Sequence, residues 1–320
     1  MDNLKIISLF SGVGGIDLGF KKAGFFTIFA NEFDKNAAKT FRLNFPDVVL
    51  NTADIRELKK EDIPKGADIL LSGFPCQSFS VAGYRRGLED EKNGDLFFET
   101  LRIAKLMDAK VIFMENVKNL LFHDNGKTFE IILDALTKNG YYVKYKVLNT
   151  KDYANIPQNR ERIYIVAFKD KKAYKNFEFP KPLKLNKSLR DFINFEKIVD
   201  DKYYYREESF KYFNALKEDI KSQDTVYQWR RSYVRENKSG VCPTLTASMG
   251  TGGNNVPLII TDAGKIRKLT PRETFNLQGF PGDFKLPEIA DSHLYKQAGN
   301  SVTVKVIERI AKNIKKVLDF

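Results

Sequence analysis

The chain has 320 residues, 42% of them hydrophobic, which is enough to bury a sizeable core as one large domain and a smaller one and excludes a disordered chain. Its 53 Lys and Arg against 41 Asp and Glu leave a formal net charge of +12, which favours a polyanionic partner, because basic groups that displace counterions from a phosphate backbone gain affinity. Two cysteines, Cys76 and Cys242, and two histidines, His123 and His293, argue against a disulfide framework or a Cys/His metal site and suit a reducing compartment.

The start, MDNLKIISLF, lacks the charged lead and long apolar core of a signal peptide, and no apolar run reaches membrane-spanning length, so a cytoplasmic protein with no membrane partner is expected. Strands are predicted at KIISLF, FFTIFAN, DILLSG, VIFMENV and RIYIVAF, with helices near 35–44, 97–107 and 126–138. That alternation predicts a parallel α/β sheet. After Phe168 the Lys-rich stretch FKDKKAYKNFEFPKPLKLNKS, with its two prolines, marks an exit from the sheet, and a boundary is expected near 170–185. Residues 181–270 carry 17 Lys and Arg against 11 Asp and Glu, so the basic surface concentrates there. In the tail, Val302, Val306, Ile307, Ile310, Ile314 and Val317 are spaced for one face of a helix that packs back on the first domain.

KIISLF runs into SGVGGIDLGF, where Gly12, Gly14 and Gly15 allow a tight turn and close approach to a ligand before a helix begins. A glycine turn of this kind serves NAD, FAD or S-adenosylmethionine, or is only a turn. The second strand ends at Glu32, a carboxylate able to accept from both hydroxyls of a ribose, followed by Phe33, able to stack on adenine. Asp54 and Ile55 end a third short segment, where an acceptor can read an adenine amine or a helix cap can sit.

The strand DILLSG delivers GFPCQSFS, setting Cys76 at a carboxyl strand end, where open α/β sheets bind ligands. A lone cysteine is usually a small buried hydrophobe. Here VIFMENV ends in Glu115 and Asn116, and IPQNRERIYIVAF carries Gln158, Arg160 and Arg162. A carboxylic acid and guanidinium groups around a thiol suit covalent chemistry on a pyrimidine. A thiolate adding to cytosine carbon 6 makes carbon 5 nucleophilic, an acid at ring nitrogen 3 assists, and an arginine stabilises charge on the ring carbonyl.

With FSGVGGIDLGF, GFPCQSFS, MENV, QNRER, RKLTPRETFNLQGFP and YKQAGNSVTVKVIERIA in this order, the chain resembles the DNA cytosine-5 methyltransferases of bacterial type II restriction-modification systems. The resemblance covers all but about residues 175–265. It implies a Rossmann-like S-adenosylmethionine-dependent methyltransferase sheet over 1–180, completed by 281–320, with a smaller target-recognition domain over 181–280. It implies S-adenosylmethionine as cofactor, S-adenosylhomocysteine as product and a flipped-out cytosine in a specific double-stranded DNA sequence as substrate. A monomer working beside a cognate restriction endonuclease is the implied setting.

The resemblance makes Cys76 the nucleophile, Glu115 the group at ring nitrogen 3, Arg162 the group at the ring carbonyl and Arg160 its support. It assigns the cofactor to Phe10, Gly12, Gly14, Gly15, Glu32, Phe33, Asp54, Ile55, Pro75 and Leu96, with Asn300, Ser301 and Val302 closing the methionine end. Gln158 and Asn116 are expected to orient rather than react. The polar stretch 77–95 is expected to close over DNA, with Ser80, Tyr84, Arg85 and Arg86 near the substrate.

In the recognition region Arg230, Arg231 and Arg235 suit phosphates or guanine edges, and Thr244 and Thr246 suit close backbone approach. Tyr227 and Trp229 are expected in a core rather than stacked on bases. An RNA cytosine-5 methyltransferase on the same domain is the nearest alternative, and the long basic recognition segment argues against it. An NAD-dependent oxidoreductase explains only the glycine loop. An inactive DNA-binding module would need Cys76 or Glu115 replaced, and exocyclic amine methylation lacks its Asp/Asn-Pro-Pro-aromatic motif.

Overall fold

The computed structural model describes residues 4–75, 96–230, 233–251 and 256–318. Cys76, Ser80, Tyr84, Arg85, Arg86 and Arg231 lie outside the described residues. The chain folds as two compact units: Met1–Leu148 with Glu161–Lys181 and Val306–Phe320, and Asn149–Arg160 with Pro182–Lys305. The stretch 281–320, expected whole in the first unit, is thus divided at Lys305.

The first unit opens with β1 (Lys5–Leu9), α1 (Gly15–Lys22), β2 (Phe26–Asn31), α2 (Lys35–Asn44), β3 (Val49–Asn51) and β4 (Ile69–Ser72). It continues with α3 (Leu96–Leu106), β5 (Val111–Val117), α4 (Lys127–Lys138) and β6 (Tyr142–Asn149). The chain then passes through α5 (Thr150–Ala154) and β7 (Gln158–Asn159) of the second unit before returning as β8 (Glu161–Phe168) and α6 (Lys171–Asn176). Seven strands form one sheet in the order β3-β2-β1-β4-β5-β8-β6. Helices on both faces explain why β4, ILLS, is buried along its whole length rather than alternating.

One expectation is corrected. The sheet is parallel from β3 to β5, but β8 runs antiparallel to β5, from Val111 opposite Phe168 to Val117 opposite Arg162. Between β6 and β8 lie only a five-residue helix and a two-residue strand, too short for the crossover of a dozen or more residues that a parallel return requires. The reversal puts Arg162, at the start of β8, beside the carboxyl end of β5.

The second unit holds α7 (Phe213–Asp219), β9 (Tyr227–Arg230), β10 (Tyr233–Glu236), β11 (Cys242–Pro243), β12 (Leu258–Ile260), β13 (Ile266–Lys268), α8 (Pro271–Leu277) and α9 (Asp291–Asn300). Its sheet has the order β10-β9-β12-β13, while β11 pairs with β7. Tyr227 and Trp229 pack with Leu216, Ile220, Leu258 and Ile266 in its core, as their size favours. Arg267, fully buried, holds both carboxylate oxygens of Glu273 at 2.7 and 2.8 Å, and Glu273 completes a capping box with Thr270 at the start of α8.

The last helix, α10 (Val304–Leu318), rejoins the first unit. Val306, Ile307, Ile310 and Ile314 are fully buried on one face, each contributing about 1.5–3 kcal/mol of hydrophobic burial. The face lies against α1, where a Cβ on Gly19 would stand 2.5 Å from Ile307. Val302, expected on this face, is buried but precedes the helix. Among the described residues no helix is long and apolar enough to cross a membrane.

Candidate active site

The glycine turn follows β1. Phe10 adopts a left-handed backbone (φ 52°), rare for a side chain of that size and common where structure is held for function. Gly12 (φ 57°) and Gly14 (φ 84°) also lie in that region, and Gly14 is the N-cap of α1, whose first residue is Gly15. The two glycines are needed for different reasons. A Cβ on Gly14 would stand 2.2 Å from the Phe45 ring, whereas one on Gly12 would meet nothing within 4 Å. Gly14 is therefore required by packing, and Gly12 faces open space.

Glu32, at the tip of β2, is drawn to this turn: its carboxylate accepts from the Gly12 N–H at 2.7 Å and from the Asp34 N–H at 2.7 Å. Phe33 beside it is 68% exposed, an unusual position for a phenylalanine next to a glycine turn. Asn31, buried, donates to the carbonyls of Asn51 and Ala53, tying the β2 tip to the segment that precedes Asp54. A polar residue ending an apolar strand was the sequence signal for Asn31.

Asp54 and Ile55 follow β3 in a short turn. Asp54 is the N-cap of a single turn over Ile55–Glu57, accepting from the Arg56 backbone N–H and pairing with its guanidinium at 3.0 Å. The Ile55 side chain is in the core, and its carbonyl accepts from Arg102 at 2.9 Å. Asp54 thus takes the cap position that the sequence also allowed, and the Ile55 side chain serves the core. Leu96 is the half-buried first residue of α3, and Pro75 is exposed at the exit from β4.

At the carboxyl end of β5, Glu115 is 8% exposed and its carboxylate lies 3.3 Å from Arg162 Nε. Arg162 also donates to the Glu161 carbonyl at 2.8 Å. Next to them Asn116 donates to the Phe74 carbonyl at 2.8 Å, joining β5 to the chain two residues before Cys76. The first unit thus brings together the glycine turn with Glu32, and Glu115 with Arg162.

Arg160 is corrected from a catalytic support to a clamp inside the second unit. Its guanidinium, 2% exposed, donates to the carbonyls of Leu245 at 2.9 Å, Gly299 at 3.1 Å and Ser301. A guanidinium committed to three main-chain carbonyls is a positioning group. It fixes Ser301, which is buried with Val302, while Asn300 is exposed. Gln158 is also buried and donates to the Leu277 carbonyl at 2.7 Å.

Of the expected DNA contacts in the second unit, Arg230 and Arg235 are exposed on β9 and β10, with Arg230 donating to the Gln228 side chain at 3.1 Å. Tyr233, 58% exposed on β10, joins them and was not anticipated. Thr246 is exposed, but the Thr244 hydroxyl donates to the Asn159 carbonyl at 2.7 Å and serves the fold. Cys242 is fully buried, and burial pushes its thiol far above the ordinary range, which leaves it inert.

The C-5 cytosine-specific DNA methylase family matches residues 4–316 of this chain. The chain is 62% identical to the Type II methyltransferase M.Bsp6I of Bacillus sp. (strain RFL6), over 98% of this chain and 99% of that protein. It is 36% identical to the Type II methyltransferase M.HhaI of Haemophilus parahaemolyticus, over 100% of this chain and 97% of that one. The solved structure of a Spodoptera frugiperda DNMT2 variant shares the fold with a TM-score of 0.74 at 23% identity, covering 97% of this chain and 99% of its own. The chain belongs to the C-5 cytosine-specific DNA methylases and is a DNA cytosine-5 methyltransferase.

Proposed function

We propose that the enzyme methylates a flipped-out cytosine within a specific duplex sequence through a covalent bond from Cys76 to carbon 6, with S-adenosylmethionine as donor. The observation that carries this reading is the Glu115–Arg162 pair, standing where Asn116 ties β5 to the chain entering Cys76. The fit of the donor is supported by the open space at Gly12, the Glu32 carboxylate held at the turn and the exposed Phe33 ring. In this reading Phe10, Gly12, Gly14, Gly15, Glu32 and Phe33 hold it. When bound, the donor supplies an electrophilic methyl group on sulfur.

The residues of the chain prepare the base. The Cys76 thiolate adds to carbon 6 as Glu115 gives a proton to ring nitrogen 3, which leaves carbon 5 with the electron pair it needs. Arg162 stabilises charge at the ring carbonyl. Carbon 5 would take the methyl group as the methyl–sulfur bond breaks and S-adenosylhomocysteine leaves; carbon 5 then loses its proton to a base, the returning electron pair expels Cys76, and ring nitrogen 3 gives its proton back to Glu115. A base inside a duplex cannot meet a thiol in a protein, so the cytosine leaves the stack. The second unit, with Arg230, Tyr233 and Arg235 exposed on neighbouring strands, is read as the target-recognition domain. The Type II names of the relatives support the reading of a modification enzyme that works beside a restriction endonuclease.

Cys76→Ser is expected to abolish methyl transfer to DNA while keeping donor affinity, measured by calorimetry, within about twofold. DNA with 5-fluorocytosine at the target should trap the wild-type enzyme, because carbon 5 then has no proton to lose. Ordinary turnover by the serine variant, or no stable adduct on the fluorinated target, would sink the covalent step.

A further inference from the structure

Beyond the site described above, the first unit carries a groove of about 450 Å³ between the outer side of α10 and the segment that follows α6. Lys181, Arg309, Lys312, Lys315 and Lys316 line it with Pro180 and Asn313, and among the described residues no carboxylate side chain does. The groove is built. Arg309 donates to the Lys181 carbonyl at 2.8 Å and Asn313 to the Glu178 carbonyl at 2.9 Å, so two wall side chains hold the two walls together.

Its place in the fold separates it from the catalytic groups. Lys315 lies at Gly24 and over the Phe25 ring, just before β2 begins, and the segment after α6 descends from Phe168, which pairs with Val111 at the start of β5. The groove therefore reaches the amino ends of the parallel strands, whereas Glu32 and Glu115 stand at the carboxyl ends.

The helix dipole explains two of the five cations. Lys315 and Lys316 fall in the last turn of α10, where cations offset the partial negative charge of the helix end. Lys312 pairs with Glu308 one turn back, while its side chain remains half exposed. Lys181 is not on the helix. Cations gathered on one concavity make its local potential positive, which attracts an anion. Among the described residues the lining holds five cations and, Pro180 apart, no aromatic or aliphatic side chain, which matches a phosphate backbone rather than a peptide with apolar anchors.

We propose that this groove is a second docking site for duplex DNA, which takes the sugar-phosphate backbone of a segment other than the one whose cytosine is methylated. The enzyme then holds two duplex segments at opposite ends of one sheet. Contact is to phosphates and reads no sequence.

The test uses the full chain and random-sequence duplex, with the triple variant Lys181→Gln, Lys315→Gln, Lys316→Gln, which spares Arg309, Asn313 and the Lys312–Glu308 pair. The wild type should carry two short duplexes per chain by sedimentation, the variant one, with methyl transfer to genomic DNA unchanged within about twofold. Binding of the second duplex should weaken by about 0.9 logarithmic units per phosphate contacted for each tenfold rise in salt, a slope the variant loses. One duplex per wild-type chain, two per variant chain, or a groove that takes polyglutamate while wild-type stoichiometry on DNA stays at one would each overturn the proposal.

Discussion

Asp17, in the first turn of α1, is fully buried beneath the glycine turn, where its two oxygens accept from Ser8 Oγ and Thr27 Oγ1, each at 3.0 Å. Burial raises its pKa to about 6, while the two hydroxyls and a backbone N–H pull it back. Its folded value thus lies above its unfolded one, so the folded state binds more proton in between. The stability linked to this group is present below about pH 4 and is lost as pH rises through about 6. Asparagine can keep both bonds, accepting one hydroxyl and donating to the other. Asp17→Asn should therefore be more stable than the wild type at pH 7 by about 2 kcal/mol in denaturant unfolding, with the gap closing toward pH 4. A gap that persists at low pH would contradict the burial account. The same scale separates the two arginines of QNRER: the structure pairs Arg162 with Glu115 and commits Arg160 to carbonyls.

The turn from β1 into α1 gives the element its own test. Gly12→Ala places a methyl in open space at φ 57° and should cost about 1–2 kcal/mol of backbone strain. Gly14→Ala adds a clash with the Phe45 ring at 2.2 Å and should cost a further 1–3 kcal/mol or so. If Gly12 faces the donor, Gly12→Ala should lose donor affinity at least about tenfold with only that strain as its loss of stability, and Gly14→Ala should be the less stable of the two. Calorimetric titration beside thermal unfolding separates the two, and equal behaviour of both variants would remove the distinction. Strand β8 shows what an element owes to its connection. Its apolar run was legible as a strand, but its direction follows from the short path after β6 and decides which end of β5 Arg162 meets.

At the scale of the whole molecule, a net charge of +12 makes association with DNA an ion-exchange process. Affinity for random duplex should fall linearly on a log-log plot against salt, by tenfold or more for roughly a fourfold rise in concentration. Fluorescence anisotropy across a salt series checks this, and a flat line would mean that the charge is spread away from DNA.

Much of the fold and chemistry was legible because both reside in local patterns. Continuous apolar runs such as ILLS and the 3.6-residue spacing of Val306, Ile307, Ile310 and Ile314 mark sheet and helix, and the motifs carrying Cys76, Glu115 and Arg162 name the reactive groups in chain order. Tertiary structure alone decided which groups meet: that Asn116 reaches Phe74, that Glu32 reaches the Gly12 N–H, that Asp54 caps a turn, and that Arg160 is buried two residues from a partly buried Arg162. The physical reason is that a side chain's partner depends on register and burial between segments far apart in sequence. No pattern within one segment carries that information.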